Sequence, residues 1–355
     1  MRYRTILGLA GLATVAAAGA MFAEAPSATA QTPAASPAPA PASSKMLTLP
    51  GGMDPAVLHA QVILDKLGFG PGLLDGRDSP SFARALRGFQ TSRGLGVTGD
   101  LDAPTLRALY PYRAWRPIKM IALTEGMLRG PFLNPTPEDY ADQAKLPGVP
   151  YRSPLEKLAE MFHTSPQVLV TLNSRETPLR VGQEVVFPNA LPTERNYAID
   201  DATWRSTVAY LNVGSNQPVA DRVVVDESEG ALKVYDAEDR LVAQFGATMG
   251  SSQFPLPIGE WTIKGTAFNP DWSYDPDLIA GSAPDAEEAV VPPGPNNPVG
   301  VVWLDLSKEH YGIHGTPEPQ NIGKTESNGC IRLTNWDAAR LALMVKPGTR
   351  AIFQR

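Results

Sequence analysis

The residue with the most chemical potential in this 355-residue chain is its single cysteine, Cys330. A disulfide needs two thiols, so Cys330 has no partner within the chain. A free cysteine is commonly a small buried hydrophobe, but the neighbours of this one point to reactivity. His314 precedes it with fifteen residues between them, and the cysteine stands in the run Ser327-Asn328-Gly329-Cys330-Ile331-Arg332-Leu333. A thiol attacks as the thiolate, so its free pKa of about 8.5 has to be lowered by a nearby cation or base. A histidine delivered from a strand end supplies that base. Gly315, next to His314, lets backbone come close and leaves carbonyls free to orient the imidazole. Gly329 permits a turn in which the backbone N–H groups of Asn328 and Gly329 converge as an oxyanion hole requires. Arg332 has two readings, a contact to a substrate carboxylate or a brace for the loop, and Ser327 is a candidate substrate contact. The other three histidines are His59, His163 and His310. The first two read as packed or solvent-facing and the third as a surface residue. Trp303 and Trp336 read as core. No metal is expected, because zinc wants three or four clustered ligands.

The elements that must carry these residues begin at Asp221. Alternation of apolar and polar residues predicts strands at Arg222 to Asp226, Ala231 to Tyr235, Arg240 to Phe245 and Ile258 to Ile263. Strands at Gly300 to Leu304 and Tyr311 to Ile313 follow, the last leading into His314. A helix from Asn335 to about Val345, capped by Thr334, and a strand at Arg350 to Phe353 close the chain. Between them, Asn269 to Pro298 is too long for an ordinary connection and reads as a lid.

The segment YGIHGTPEPQNIGKTESNGCIRLTNWDAARL, with GPNNPVGVVWLDL before it, resembles the YkuD-type catalytic domain of the L,D-transpeptidases. The resemblance covers about Asp221 to Arg355. It implies a β-rich fold, Cys330 as nucleophile, His314 as general base and a backbone carbonyl, that of Gly315, as the third member of the triad. It also implies a reaction on peptidoglycan, needing no cofactor. The thiolate acylates on a tetrapeptide stem, D-Ala leaves, and an amine resolves the acyl-enzyme. That amine belongs to a second stem or to an outer-membrane protein; water instead would make an L,D-carboxypeptidase. The family also accepts carbapenems as strained acyl donors. Asn328 stands where many relatives have His. A papain-like protease would place Cys before His, the reverse of the order here, and a wall-binding protein without activity would have no use for the lone thiol.

Upstream, the chain reads as a multidomain α+β protein. Arg2 and Arg4, an apolar run from Ile6 to Phe22 and small residues up to Ala30 predict a signal peptide at 1–30 and export to the periplasm or cell wall. The run is too short to span a bilayer, so no stable membrane span is expected once the leader is cleaved. Its removal takes the net charge from -6 to about -7. That charge and the lack of a basic stripe argue against nucleic acid. Residues 31–50 are a Pro/Ala-rich linker. Residues 51–112, including LDKLGFGPGLLDGRDSPSFARALRGFQTSRGLGVTGDLDAPTLRAL, resemble the peptidoglycan-binding-1 family of three-helix modules, with caps at Asp54, Ser79 and Asp102. Residues 151–190 resemble a LysM-type βααβ module with a short, poorly marked first strand. Segments 113–150 and 191–220 read as connectors. The two modules would hold the enzyme on glycan without taking part in chemistry.

Overall fold

The computed structural model describes residues 48–279, 281–283 and 285–355. The expected signal peptide and nearly all of the expected linker lie outside them. Among the described residues no helix is long and apolar enough to cross a membrane.

Three helices come first, α1 (Pro55–Lys66), α2 (Pro80–Ser92) and α3 (Ala103–Leu109). Each starts for the same local reason. The side chains of Asp54, Ser79 and Asp102 accept hydrogen bonds from the first-turn amides, and a proline follows where a missing N–H costs nothing. Next come β1 (Ile118–Ala122), the short helices α4 (Glu125–Leu128) and α5 (Tyr140–Gln143), then α6 (Pro154–Met161), α7 (Pro166–Leu172) and β2 (Glu184–Pro188). β1 pairs antiparallel with β2, Ile118 opposite Pro188. These strands and α6 and α7 give the βααβ order, but its first strand lies within the expected connector 113–150, not at the start of 151–190. An excursion from Leu123 to Ser153 separates that strand from α6, which is why the sequence around Tyr151 shows no strand.

The rest of the chain is α8 (Ala202–Tyr210), β3 (Arg222–Asp226), β4 (Ala231–Tyr235), β5 (Leu241–Gly246), β6 (Thr248–Met249), β7 (Gly259–Phe268), β8 (Trp272–Tyr274), β9 (Ala289–Val291), β10 (Val302–Leu306), β11 (Gly312–His314), β12 (Ile331–Arg332), α9 (Asn335–Met344) and β13 (Arg350–Gln354). Nine of these strands form one sheet in the order β5-β4-β3-β13-β7-β10-β11-β12-β6, while β8 and β9 make a separate hairpin inside the expected lid. β11 and β12 run parallel, Ile313 beside Ile331 and His314 beside Arg332. The segment 191–220 is more than a connector. Trp204, Val208, Leu211 and Val213 from it are buried in the same core as Val223, Phe245, Ile313, Ile331 and Trp336.

The three regions share their cores, contrary to the expectation of modules joined by spacers. Leu58 and Val62 of α1 pack with Leu158, Phe162 and Phe187. Phe82, Leu86 and Phe89 of α2 pack with Leu241 of the catalytic sheet. The edge strand β5 is capped by the helical module, since Gly70 N–H donates to Gln244 O at 2.8 Å and Gln244 N–H donates to Gly68 O at 2.9 Å. A buried polar cluster ties all three regions. Arg340 of α9 donates to Asp65 of α1 at 2.9 Å and to Asp337 at 3.2 Å. His163 Nδ1 lies 3.1 Å from Asp65, its Nε2 lies 2.6 Å from Leu211 O, and its ring stacks on Trp336 at 4.9 Å. His163 is therefore a packed histidine with both ring nitrogens facing acceptors. Burial alone would raise the Asp65 carboxyl, but Arg340 and His163 hold it well below the usual carboxylate range. Asp65→Ala would leave the buried Arg340 with Asp337 alone and take the carboxylate from His163 Nδ1. It should lower the unfolding free energy by about 3–5 kcal/mol, read from urea unfolding of the full chain; a loss near zero would show that the cluster is not holding the regions together.

Candidate active site

Strand parity assembles the site. Ile313 and Ile331 point into the core with no exposure, so His314, Arg332 and Cys330 lie on the opposite face of β11 and β12. On the other side β10 runs antiparallel to β11 and sets Trp303 opposite His314, where the two rings stack at 5.4 Å and 18°. Trp336 is core, as expected, whereas Trp303 instead covers the histidine. His314, Cys330, Asn328, Arg332, Trp303 and Tyr311 line one cavity of about 450 Å³. Among the described residues no group of three or more His, Cys, Asp or Glu could hold a metal ion.

His314 Nδ1 donates to the Gly315 carbonyl at 2.7 Å, which leaves Nε2 as the free lone pair. Burial, and then the Arg332 charge, lower the imidazole to about 3, against the pull of the Gly315 bond. Burial likewise pushes the Cys330 thiol up, although a backbone hydrogen bond at Gly312 and the Arg332 guanidinium oppose it. The resting pair is thus a neutral thiol and a neutral imidazole. A thiolate lowered by its neighbours, the expectation from sequence, is not the ground state here, because desolvation outweighs the one nearby cation. Cys330 Sγ lies 3.8 Å from the His310 carbonyl. His310 itself is exposed, as expected, in a turn with φ 63°.

The turn before Cys330 needs glycine. Gly329 has φ 97°, and a Cβ there would lie 2.7 Å from the Tyr311 ring. Ser327 does not face the cavity, contrary to the expected substrate contact. It is 3% exposed, its hydroxyl accepts from Gly250 N–H at 2.7 Å and donates to Cys330 O at 2.7 Å. It braces the Cys330 loop against the chain after β6. Arg332 does line the cavity, and its guanidinium donates to Glu326 O at 3.4 Å. No carboxylate of the described residues lies within ion-pair range of it.

Sequence reasoning missed the cavity's outer wall. Tyr140, from the expected connector 113–150, lines the same cavity and packs on Trp272 at 4.9 Å and Tyr274 at 4.7 Å. The lid's other arm is tied to the same excursion, with Val149 N–H donating to Pro293 O at 3.0 Å and Asn296 N–H to Val149 O at 3.1 Å. The only signal for this in the sequence was the aromatic character of Tyr140, Trp272 and Tyr274, which names no partner.

Residues 220–353 match the YkuD family model, the L,D-transpeptidase catalytic domain. A Bacillus licheniformis protein named as an L,D-transpeptidase is 31% identical over 198 residues, which cover 55% of this chain and 90% of that one. The chain belongs to the L,D-transpeptidase family. A shorter stretch of this transpeptidase, 61 residues, is 54% identical to a Bacillus subtilis protein with the same family name, covering 17% of this chain and 37% of that one. An Escherichia coli K12 protein so named is 33% identical over 202 residues, covering 55% of this chain and 56% of that one. Residues 53–109 match the model of a putative peptidoglycan binding domain.

The buried, neutral His314 has a thermodynamic consequence. Its folded pKa lies below the usual 6.5, at about 3, so between those values the unfolded chain binds a proton that the folded chain does not. Stability from this group is present above pH 6.5 and is lost as pH falls toward 3. Between pH 7.5 and pH 5, wild type should lose about 2 kcal/mol relative to His314→Gln in paired urea titrations. Parallel pH dependence of the two proteins would show that the imidazole titrates normally.

Proposed function

We propose that this transpeptidase forms an acyl-enzyme on Cys330 with a peptidoglycan tetrapeptide stem and transfers the acyl group to an amine. The single observation that carries the reading is the shared face of β11 and β12. It directs His314 and Cys330 into one cavity with Nδ1 of His314 already held by Gly315. As Sγ attacks the carbonyl of the L-configured centre of diaminopimelate, His314 Nε2 takes the thiol proton. The C–N bond to the terminal D-Ala then breaks, and the same nitrogen returns the proton to the leaving amine. Backbone N–H groups at Asn328 and Gly329 are the donors for the oxyanion. Arg332, with no carboxylate partner of its own, receives a carboxylate of the stem.

The acceptor is the side-chain amine of diaminopimelate on a second stem, which gives a 3→3 cross-link. Support comes from the lid bordering the cavity, which Tyr140 and Val149 clamp, so that it limits access of water to the acyl-enzyme. An outer-membrane protein amine and water are the competing acceptors. The helical module, and the LysM-like βααβ unit with it, hold the enzyme against glycan in the periplasm or at the cell wall.

Purified enzyme with disaccharide-tetrapeptide stems should yield 3→3 dimers and free D-Ala by liquid chromatography and mass spectrometry. Cys330→Ala should give neither, and His314→Gln should be slower by about 100-fold or more. Tripeptides without dimers would make it an L,D-carboxypeptidase, and products from Cys330→Ala would remove the proposed nucleophile.

A further inference from the structure

The orientation of His314 is only as firm as that of the carbonyl holding it, so what fixes Gly315 matters. Gly315 N–H donates to Val302 O at 3.2 Å. Against its Cα stands the side chain of Asn335, the first residue of α9. A Cβ at Gly315 would lie 2.1 Å from Asn335 Oδ1, so the carboxamide packs directly on the glycine. Asn335 Oδ1 accepts from Val301 N–H at 3.2 Å, on the chain entering β10. Its Nδ2 donates to Pro295 O at 3.3 Å, near the end of the lid, and to Glu160 Oε1 at 2.8 Å.

Glu160 lies in α6, outside the catalytic domain. It is 7% exposed and Asn335 is wholly buried. The second oxygen of Glu160 accepts from the Tyr151 hydroxyl. No cation of the described residues is in ion-pair range of it. The ionisable groups that face it are Tyr151, Tyr210 and Glu156, none of them cationic. Burial raises its carboxyl to about 7 despite the bonds from Tyr151 and Asn335. An acid in such surroundings opposes its own ionisation, and a leucine would bury more cheaply. Its geometry accounts for its presence, since one oxygen holds the amide that packs on the histidine's carbonyl partner.

We propose that Glu160 is a positioning residue for His314, acting through Asn335 to fix the Gly315 turn, so that a segment outside the catalytic domain completes the catalytic geometry. This rests on the reading of His314 as the base. The LysM-like unit is then part of the enzyme's machinery and does more than anchor it.

The test uses the full chain, with carbapenem acylation followed by intact-protein mass spectrometry and the His314 ring nitrogens followed by ¹⁵N NMR. Glu160→Ala should slow acylation by about 10- to 100-fold, the range for a small misplacement of a catalytic group, and should shift the Nδ1 resonance. Glu160→Gln still offers Asn335 an oxygen and should stay within a few fold of wild type. If Glu160→Ala does not fold, Asn335→Asp takes its place. It sets a second carboxyl against Glu160 at constant size and should produce the same two changes. A folded Glu160→Ala or Asn335→Asp that leaves the His314 resonances unmoved would overturn the proposal, whatever its rate. His314→Gln runs alongside: acylation at the wild-type rate there would sink the base assignment itself, a failure separate from that of Glu160.

Discussion

Desolvation of His314 and Cys330 is the constraint on which this structure turns. His314 is buried and Cys330 half-buried; burial favours the neutral form of each, so neither relies on a resting ion pair for reactivity. What remains is geometry. A neutral imidazole accepts a proton only through its unprotonated nitrogen, and the bond from Nδ1 to the Gly315 carbonyl makes that nitrogen Nε2. Trp303 over the ring, Tyr311 over Gly329 and Ser327 beneath the loop are all ways of preventing the pair from turning away. Arg332, lining the same cavity, opposes with its charge the effect of burial on the Cys330 thiol.

Helix α9 links this site to the rest of the chain. Its first residue, Asn335, packs on Gly315 and reaches Glu160. The next residue, Trp336, stacks on His163, and Arg340 further along bonds both Asp337 and Asp65. The same helix therefore faces the active site at its start and the two N-terminal regions along its side. A buried charged cluster of this kind adds little net stability over a well-packed apolar one, but it penalises any arrangement in which one partner is missing. It specifies how the regions dock. The excursion after β1 acts on the other side of the cleft, where Tyr140 and Val149 clamp the lid.

What could be read in the sequence was what is local. Asp54, Ser79, Asp102 and Thr334 cap the helices that their positions announce, because a cap involves residues two or three apart. The motif around Cys330 and His314 was legible because its residue types are rare in combination. Strands β6 and β12 have two residues each, too few to show a period. The helix with Trp204 was hidden in a presumed connector because its partners, such as Val223 and Trp336, lie far along the chain. Glu160 drew no reading from the sequence, and Tyr140 fell in the expected connector 113–150. Both acquire meaning only from residues more than a hundred positions away, which no periodicity encodes. Ser327 erred in the other direction: a hydroxyl beside a nucleophile suggests substrate, yet burial turned it to the backbone.

The central claim is that one sulfur carries the covalent chemistry, and intact-protein mass spectrometry of the full chain after incubation with a carbapenem tests it most directly. The account predicts a single adduct per chain, mapped by peptide digestion to Cys330 and absent from Cys330→Ala. An adduct formed equally well by Cys330→Ala would contradict it.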